Sequence, residues 1–549
     1  VLLQRDDPPL ITLLKRTYLR TKSYDKVEKL IRDGLAKSPR SWQLYCELAD
    51  IQLKTENDEE ARKNLSKALD LGPKEKMAYI HVAQVYMRNG LTSDAIDTYK
   101  LARLNLNDPR ILCLELAYIY EALRDYKQAV DEYFLFMRDD STRFPLIEDR
   151  INRLIQTEEN LDGIQLALEG RIHDNPRDKY SRKLYGDLLF RRGNLELAFE
   201  TYKTVDSLFG GKGKFILEFA QKCQTKKFFR QAIDACEFVL SGSPSTELVV
   251  QARLSIASSY EGLEEYEDAI STYQETIGEY ERGTSPIFAS ELAQSYYQIG
   301  EIKLFRLREP DEAFLSYQKA ISNYPGWERL ADALVRLGDC MMIGGNLDSA
   351  ILFFENALKD PRAESKEEEI KFKLTEIEFY RGNFEQALEG YSQQVSGFPK
   401  GFYVNNSLER IIIINENQSL DRYLLSVFAQ AMLEELQGKL DSASLKLEKI
   451  ISAKSASLSD KAQFEKARIY RKKKKFSSAL DSFAELIEKY PQSFHCAKAE
   501  KLIGDIYRYD LGDDAKAIQA YERVLKDYPR SPIVDEVREK LKELKENSS

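Results

Sequence analysis

Apolar residues recur along this chain every three or four positions, in short runs broken by polar turns. That period places them on one face of an α-helix and predicts helix after helix, with no alternating pattern of the kind a half-buried strand shows. The stretch from Ala78 to Ala102 carries the pattern in full. Ala83, Tyr86, Gly90, Ala95, Tyr99 and Ala102 follow at spacings of 3, 4, 5, 4 and 3, and Ala117, Tyr120, Ala129 and Tyr133 repeat the offsets after a shift of 34. The same sets return as Gly186, Gly193, Ala198 and Tyr202, as Ala257, Tyr260, Ala269 and Tyr273, and as Gly338, Gly345, Ala350 and Phe354. Prolines such as Pro244, Pro491 and Pro529 close several of these sets, where they end a helix.

This unit resembles the tetratricopeptide repeat, a helix–turn–helix of 34 residues. The resemblance implies an all-α fold, an α-solenoid wound as a right-handed superhelix of about 13–14 such repeats. The register fades near 140–175 and again over 401–420, and the first helix is expected to be long over 285–304. Four arrays are therefore expected: 8–140, 141–284 with a degenerate first repeat, 285–400 and 401–549. Ile411 to Ile414, four isoleucines in a row, read as a buried helix face rather than a strand.

Composition narrows the function. The 549 residues hold 81 basic and 90 acidic side chains, a net charge of −9, so nothing global neutralises phosphates and nucleic acid is not an expected partner. Three His and six scattered Cys argue against a metal centre or a disulfide framework, and no cofactor is expected. No stretch approaches the ~20 apolar residues of a membrane span. The chain opens on Val1 rather than Met, which fits a removed signal peptide or a truncated N-terminus. Tyr is abundant at 31 against two Trp, and the repeat accounts for it by calling for aromatics again and again.

Few local motifs carry chemistry. FGGKGK at 209–214 lacks the spacing and the Ser or Thr of a phosphate loop and reads as an inter-repeat loop. His81, His173 and His495 have no partners at metal-ligand spacing. Cys223 and Cys236 face each other across one repeat, close enough in pattern for a disulfide to be considered. The N-x-[ST] triplets at Asn64, Asn405, Asn417 and Asn547 occur at chance frequency. Carboxylates are too numerous to single out any pair, no nucleophile–base constellation assembles, and the chain is not expected to be an enzyme.

Two surfaces stand out. In the third and fourth repeats, helix-A positions give Ile80, Gln84, Met87 and Arg88, then Leu114, Tyr118 and Glu121. The expectation is an apolar patch of Ile80, Met87, Leu114 and Tyr118, rimmed by Gln84, Arg88 and Glu121, that receives a partner segment. Arg471, Lys472, Lys473, Lys474 and Lys475 form the sharpest charge run, at a helix A to helix B turn. The readings are a solvated turn, or docking to an acidic partner or anionic lipid headgroups. Chaperone-binding members of the family clamp a C-terminal carboxylate with Lys and Asn on helix A. The matching pairs here, Ile80/Gln84, Leu114/Tyr118 and Lys183/Asp187 among them, lack that set.

The endings KYPQS (489–493) and DYPRS (527–531) are similar to those of bacterial envelope tetratricopeptide proteins, such as the lipoprotein of the β-barrel assembly machinery and the Tol-system coordinator. The resemblance covers the C-terminal repeats. It implies a bacterial protein exported to the periplasm or cell envelope, without saying which complex it serves. The expected function is a non-catalytic protein–protein interaction scaffold there, part of a larger complex with membrane-associated partners. An accessory subunit of a membrane-bound or redox enzyme complex, and a cytoplasmic adaptor, are the alternatives.

Overall fold

The computed structural model describes residues 8–280, 288–419, 421–455 and 457–547. These are 81% helical, with thirty α-helices and no strand among the described residues. The expected array limit at 284–285 lies outside them. Contacts divide the chain into two compact units, Val1–Ser255 and Ile256–Ser549.

In the first unit the helices are α1 (Pro8–Arg20), α2 (Tyr24–Lys37), α3 (Trp42–Lys54), α4 (Asp58–Leu71), α5 (Lys76–Arg88), α6 (Thr92–Asn105), α7 (Cys113–Ala122) and α8 (Tyr126–Met137). They continue as α9 (Phe144–Leu154), α10 (Glu158–Asp174), α11 (Lys179–Arg191), α12 (Leu195–Phe209), α13 (Lys214–Thr225) and α14 (Phe229–Ser241). The division between units falls within α15 (Thr246–Gly262). The second unit continues with α16 (Tyr266–Tyr280), α17 (Ala289–Glu301), α18 (Pro310–Asn323), α19 (Leu330–Gly344), α20 (Leu347–Leu358), α21 (Glu367–Arg381) and α22 (Phe384–Gly397). Then come α23 (Val404–Asn417), α24 (Arg422–Leu436), α25 (Leu440–Ser452), α26 (Ser459–Lys472), α27 (Phe476–Lys489), α28 (His495–Asp505), α29 (Asp514–Asp527) and α30 (Val534–Asn547). Paired in order, these give eleven hairpins from α1 to α22 and three more from α24 to α29, fourteen in all, with α23 and α30 single.

The turn inside a hairpin has one recurring device. Thirteen of the fourteen turns hold a residue with left-handed φ. It is Gly at 90, 193, 345, 382, 438 and 512, and Lys22, Glu56, Arg124, Lys227, Glu264, Arg308 and Lys474 elsewhere. A left-handed residue ends one helix sharply and starts the chain back along it. The exception is the turn between α9 and α10, where the sequence register also fades.

Close approach of the two helices explains the small positions. Ala95, Ala269 and Ala350 are fully buried. A Cβ built on Gly504 would lie 2.5 Å from Tyr521 Cε1, and one on Gly300 2.6 Å from Tyr317 Cε1. From Gly186 to Tyr202 and from Gly338 to Phe354 the offset is 16 residues, whereas from Gly300 to Tyr317 and from Gly504 to Tyr521 it is 17. The extra residue is absorbed by a π-helical turn, Ile302–Leu307 after α17 and Ile506–Asp510 after α28. A π-turn is an α-helix carrying one inserted residue, so the flanking faces stay in register. It also accounts for the long first helix, as far as the described residues reach.

Hydrophobic packing runs through both stretches where the pattern fades. One core continues from Ala117 on α7 to Leu188 on α11, and another from Phe379 on α21 to Ile469 on α26. The isoleucine run lies on α23, with Ile413 and Ile414 buried and Ile412 outward. The backbone amides of Gly213 in FGGKGK and of Phe215 just after it donate to Asp206, at 2.8 and 3.0 Å. An internal carboxylate therefore occupies the position a phosphate would need. Cys223 and Cys236 are free and fully buried, and burial pushes their thiols up to about 12 and about 11.

Candidate functional site

Helices α5 and α7 present the expected patch in altered form. Ile80 and Leu114 are half-buried and pack against the adjoining cores. Met87 is 36% exposed and Tyr118 48% exposed. Gln84 and Arg88 are exposed, and Arg88 Nε donates to the Gln84 carbonyl at 3.1 Å. Tyr118 stands edge-on to Tyr133, with ring centroids 6.4 Å apart, and the Arg150 guanidinium lies 5.1 Å from its ring centre. These neighbours hold the ring at the surface. Glu121 departs from expectation. It turns inward, accepts from the Tyr133 hydroxyl and pairs with Arg150, with Nε at 3.0 Å, so it is no part of a polar rim.

Glu121 belongs to a series. Six buried tyrosines on second helices donate their hydroxyls to carboxylates on the first helices of the same hairpins: Tyr133 to Glu121, Tyr202 to Asp187, Tyr273 to Glu261, Tyr317 to Glu301, Tyr391 to Glu376 and Tyr521 to Asp505. In five of the six a cation from a later helix completes the set. Arg150, Lys222, Arg336, Arg410 and Lys540 do so, the last three at 2.8, 2.9 and 2.9 Å. Arg410 comes from α23 and Lys540 from α30, so the two single helices supply what the first helix of the next hairpin supplies in the other three sets. Buried carboxylates need this partnering, because an unpaired one costs several kcal/mol.

The electrostatics follow the partners. Burial alone would raise the Asp187 carboxyl, but Lys183 and Lys222 hold it below the usual range. Arg410 does the same for Glu376 against its burial, and Lys540 and Tyr521 do so for Asp505. At Glu261 the third group is Gln298, at 3.5 Å, and burial drives that carboxyl up. Sequence reading missed this ladder because acidic residues are everywhere. The signal was a Tyr lying 12, 15 or 16 residues after an acid, with a base about one repeat beyond. Lys183, at the clamp position of its repeat, is consumed by Glu148, Asp187 and Glu218 at 3.0, 3.1 and 2.7 Å.

At the basic run, α26 ends on Lys472 and α27 begins at Phe476. Arg471 binds Asp510 at 2.7 Å, Lys472 pairs with Glu435 and Lys473 with Asp441. Three of the five cations are thus tied internally. Of the histidines, His81 stacks edge-on against Trp42 at 5.1 Å and contacts the Met77 carbonyl. His173 lines an open cleft beside α10. His495 is buried between Phe464 and Phe494. Asn417 is fully buried, its amide donating to the Ile413 carbonyl, which leaves that triplet closed to glycosylation in the folded chain.

Three stretches match family models. Residues 413–546 match a tetratricopeptide repeat-like domain, and 46–109 and 294–326 match tetratricopeptide repeats. The chain therefore carries repeats of this type in both compact units. No curated protein sequence matches it. Among solved structures, the human IFIT1 dimer with PPP-AAAA aligns over 76% of this chain and 91% of its own, at 16% identity and a TM-score of 0.29. The structure of Naa15/Naa10 bound to HypK-THB aligns over 97% and 96%, at 14% identity and a TM-score of 0.28. Overlays this loose carry no argument about function.

Proposed function

We propose that the chain is a non-catalytic scaffold that binds segments of partner proteins on the first-helix faces of its hairpins. The observation that carries the reading is the α5–α7 surface, where Met87 and Tyr118 stay exposed beside the exposed Gln84 and Arg88, while Ile80 and Leu114 pack inward and Glu121 is ion-paired. Met adapts its shape to a partner, and Tyr and Arg are frequent binding hot spots. Arg150 and Tyr133 fix the Tyr118 ring beforehand, which lowers the entropy lost on binding. The occupant we assign is a helical or extended protein segment with apolar anchors. The setting we assign is a bacterial cell-envelope assembly on the periplasmic side. The support for it is the pair of Y-P-x-S endings, and Ser493 of the first, in the loop between α27 and α28, donates back to Asp460 on α26 at 2.6 Å and ties that loop to the hairpin it closes.

The test is recovery of partners from cross-linked membranes, followed by a binding measurement with the Met87→Ala/Tyr118→Ala variant. A loss of about tenfold or more with unchanged folding supports the site. Binding within about twofold of the unaltered chain removes it.

A further inference from the structure

The basic run borders a recess that the scaffold reading does not use. Between α26, the start of α27 and α28 lies a cleft of about 380 Å³. Arg468, Arg471, Lys472 and Lys474 line it, Phe476 and Leu502 contribute apolar surface, and Asp510 is its one acidic wall residue. Six cations lie between 468 and 475, and they meet four carboxylates: Glu465, Asp510, Glu435 and Asp441. The local excess is two positive charges in a chain whose net charge is −9. Lys474 is exposed at the rim and holds no carboxylate among the described residues. Helix α27 adds to the same field. Its N-cap, Lys475, makes no side-chain cap, and its first turn contains no acid, so its positive end is left uncompensated.

We propose that this cleft binds an acidic peptide segment, with an apolar side chain seated against Phe476 and Leu502 and flanking carboxylates on Lys474 and its neighbours. Charge complementarity carries the choice of ligand. The shape of the site favours a peptide over a bilayer. The cations converge on a recess with half-buried apolar surface inside it, whereas a surface that lies on a membrane presents its apolar side chains outermost. Three of the cations are held in place by their internal carboxylates, so the site is preorganised. A peptide carboxylate meets fixed donors and a free Lys474. The site lies in the second unit, uses no residue of the α5–α7 surface, and stands or falls independently of it.

The experiment uses the full chain and three probes. They are a fluorescein-labelled peptide of Asp and Glu around one Phe, the same peptide with Asn and Gln, and phosphatidylglycerol vesicles. Fluorescence anisotropy should show binding of the acidic peptide alone, weakening as salt is raised. Lys474→Glu/Lys475→Glu should cut the affinity about tenfold or more, and Lys474→Arg/Lys475→Arg should preserve it. Met87→Ala/Tyr118→Ala should leave it unchanged. Equal binding of the amide peptide overturns the proposal. So does charge reversal that leaves affinity within about twofold at an unaltered melting temperature, or vesicle binding without peptide binding. If the reversed variant fails to fold, the acidic and amide peptides on the unaltered chain decide the question.

Discussion

At the residue scale the tyrosines show how one side chain serves two needs. The ring packs on the close-approach position of the first helix in its own hairpin, as Tyr202 does on Gly186, Tyr317 on Gly300 and Tyr521 on Gly504, and the hydroxyl satisfies a buried carboxylate that would otherwise be costly. Glu261, on which the Arg306 charge acts more weakly than burial does, is the member of the series with no ion-paired cation among the described residues. Its folded pKa is raised above the unfolded one, so protonation favours the folded state, and that contribution is lost as pH rises through the folded pKa. Gln298→Lys should bring this carboxyl down and stabilise the protein at neutral pH relative to acid, as read from denaturant midpoints at both. His495 gives the opposite case. Burial between two phenylalanines depresses its pKa from 6.5 to about 4, and neither ring nitrogen has a hydrogen-bond partner. The unfolded chain therefore takes up the proton first. Stability is full above the unfolded value and falls with pH between 6.5 and about 4, by up to about 3 kcal/mol. His495→Leu should flatten that part of the stability–pH profile. An unchanged slope would show that the ring is not buried as described.

At the element scale the hairpin is set by a close approach and a left-handed turn. Gly504→Ala places a methyl against the Tyr521 ring and should cost roughly 1–3 kcal/mol, as overpacking does. Ala95→Leu, at a fully buried small position, belongs to the same class. A melting temperature unchanged by either replacement would contradict the packing. At the turns the non-glycine residues carry backbone strain. Glu56, with φ of +60°, makes its turn between α3 and α4 with no glycine to relieve it. Glu56→Gly should stabilise the protein by up to about 1 kcal/mol, measured by urea denaturation. The π-turns after α17 and α28 belong to the same scale. The one-residue insertions are plain in the sequence offsets, but only backbone geometry shows that the helix absorbs them.

At the scale of the whole molecule, stability in a repeat array is a sum of neighbour contacts, so a weak hairpin is a weak link. We propose array limits near 140 and 400, where the repeat pattern fades. The cores run on through both. Limited proteolysis of the folded chain decides between them and the division within α15. First cuts near 140 and 400 support the array limits, and first cuts near 255 with both other regions spared support two units.

The helical class, the hairpin repeat and the small and aromatic positions were legible in the sequence, because local periodicity and close packing are written residue by residue at fixed offsets. Met87 and Tyr118 were legible as exposed members of a first-helix face for the same reason. The inward turn of Glu121 was not, because its partners Tyr133 and Arg150 come from two other helices. Nor were the internal partners of the basic run, since Glu435, Asp441 and Asp510 lie more than thirty residues from the cations they hold. Position 34 residues along can be read from a repeat. Which of many like charges meets which opposite charge is a distance in three dimensions, and only the packing of one hairpin on the next decides it.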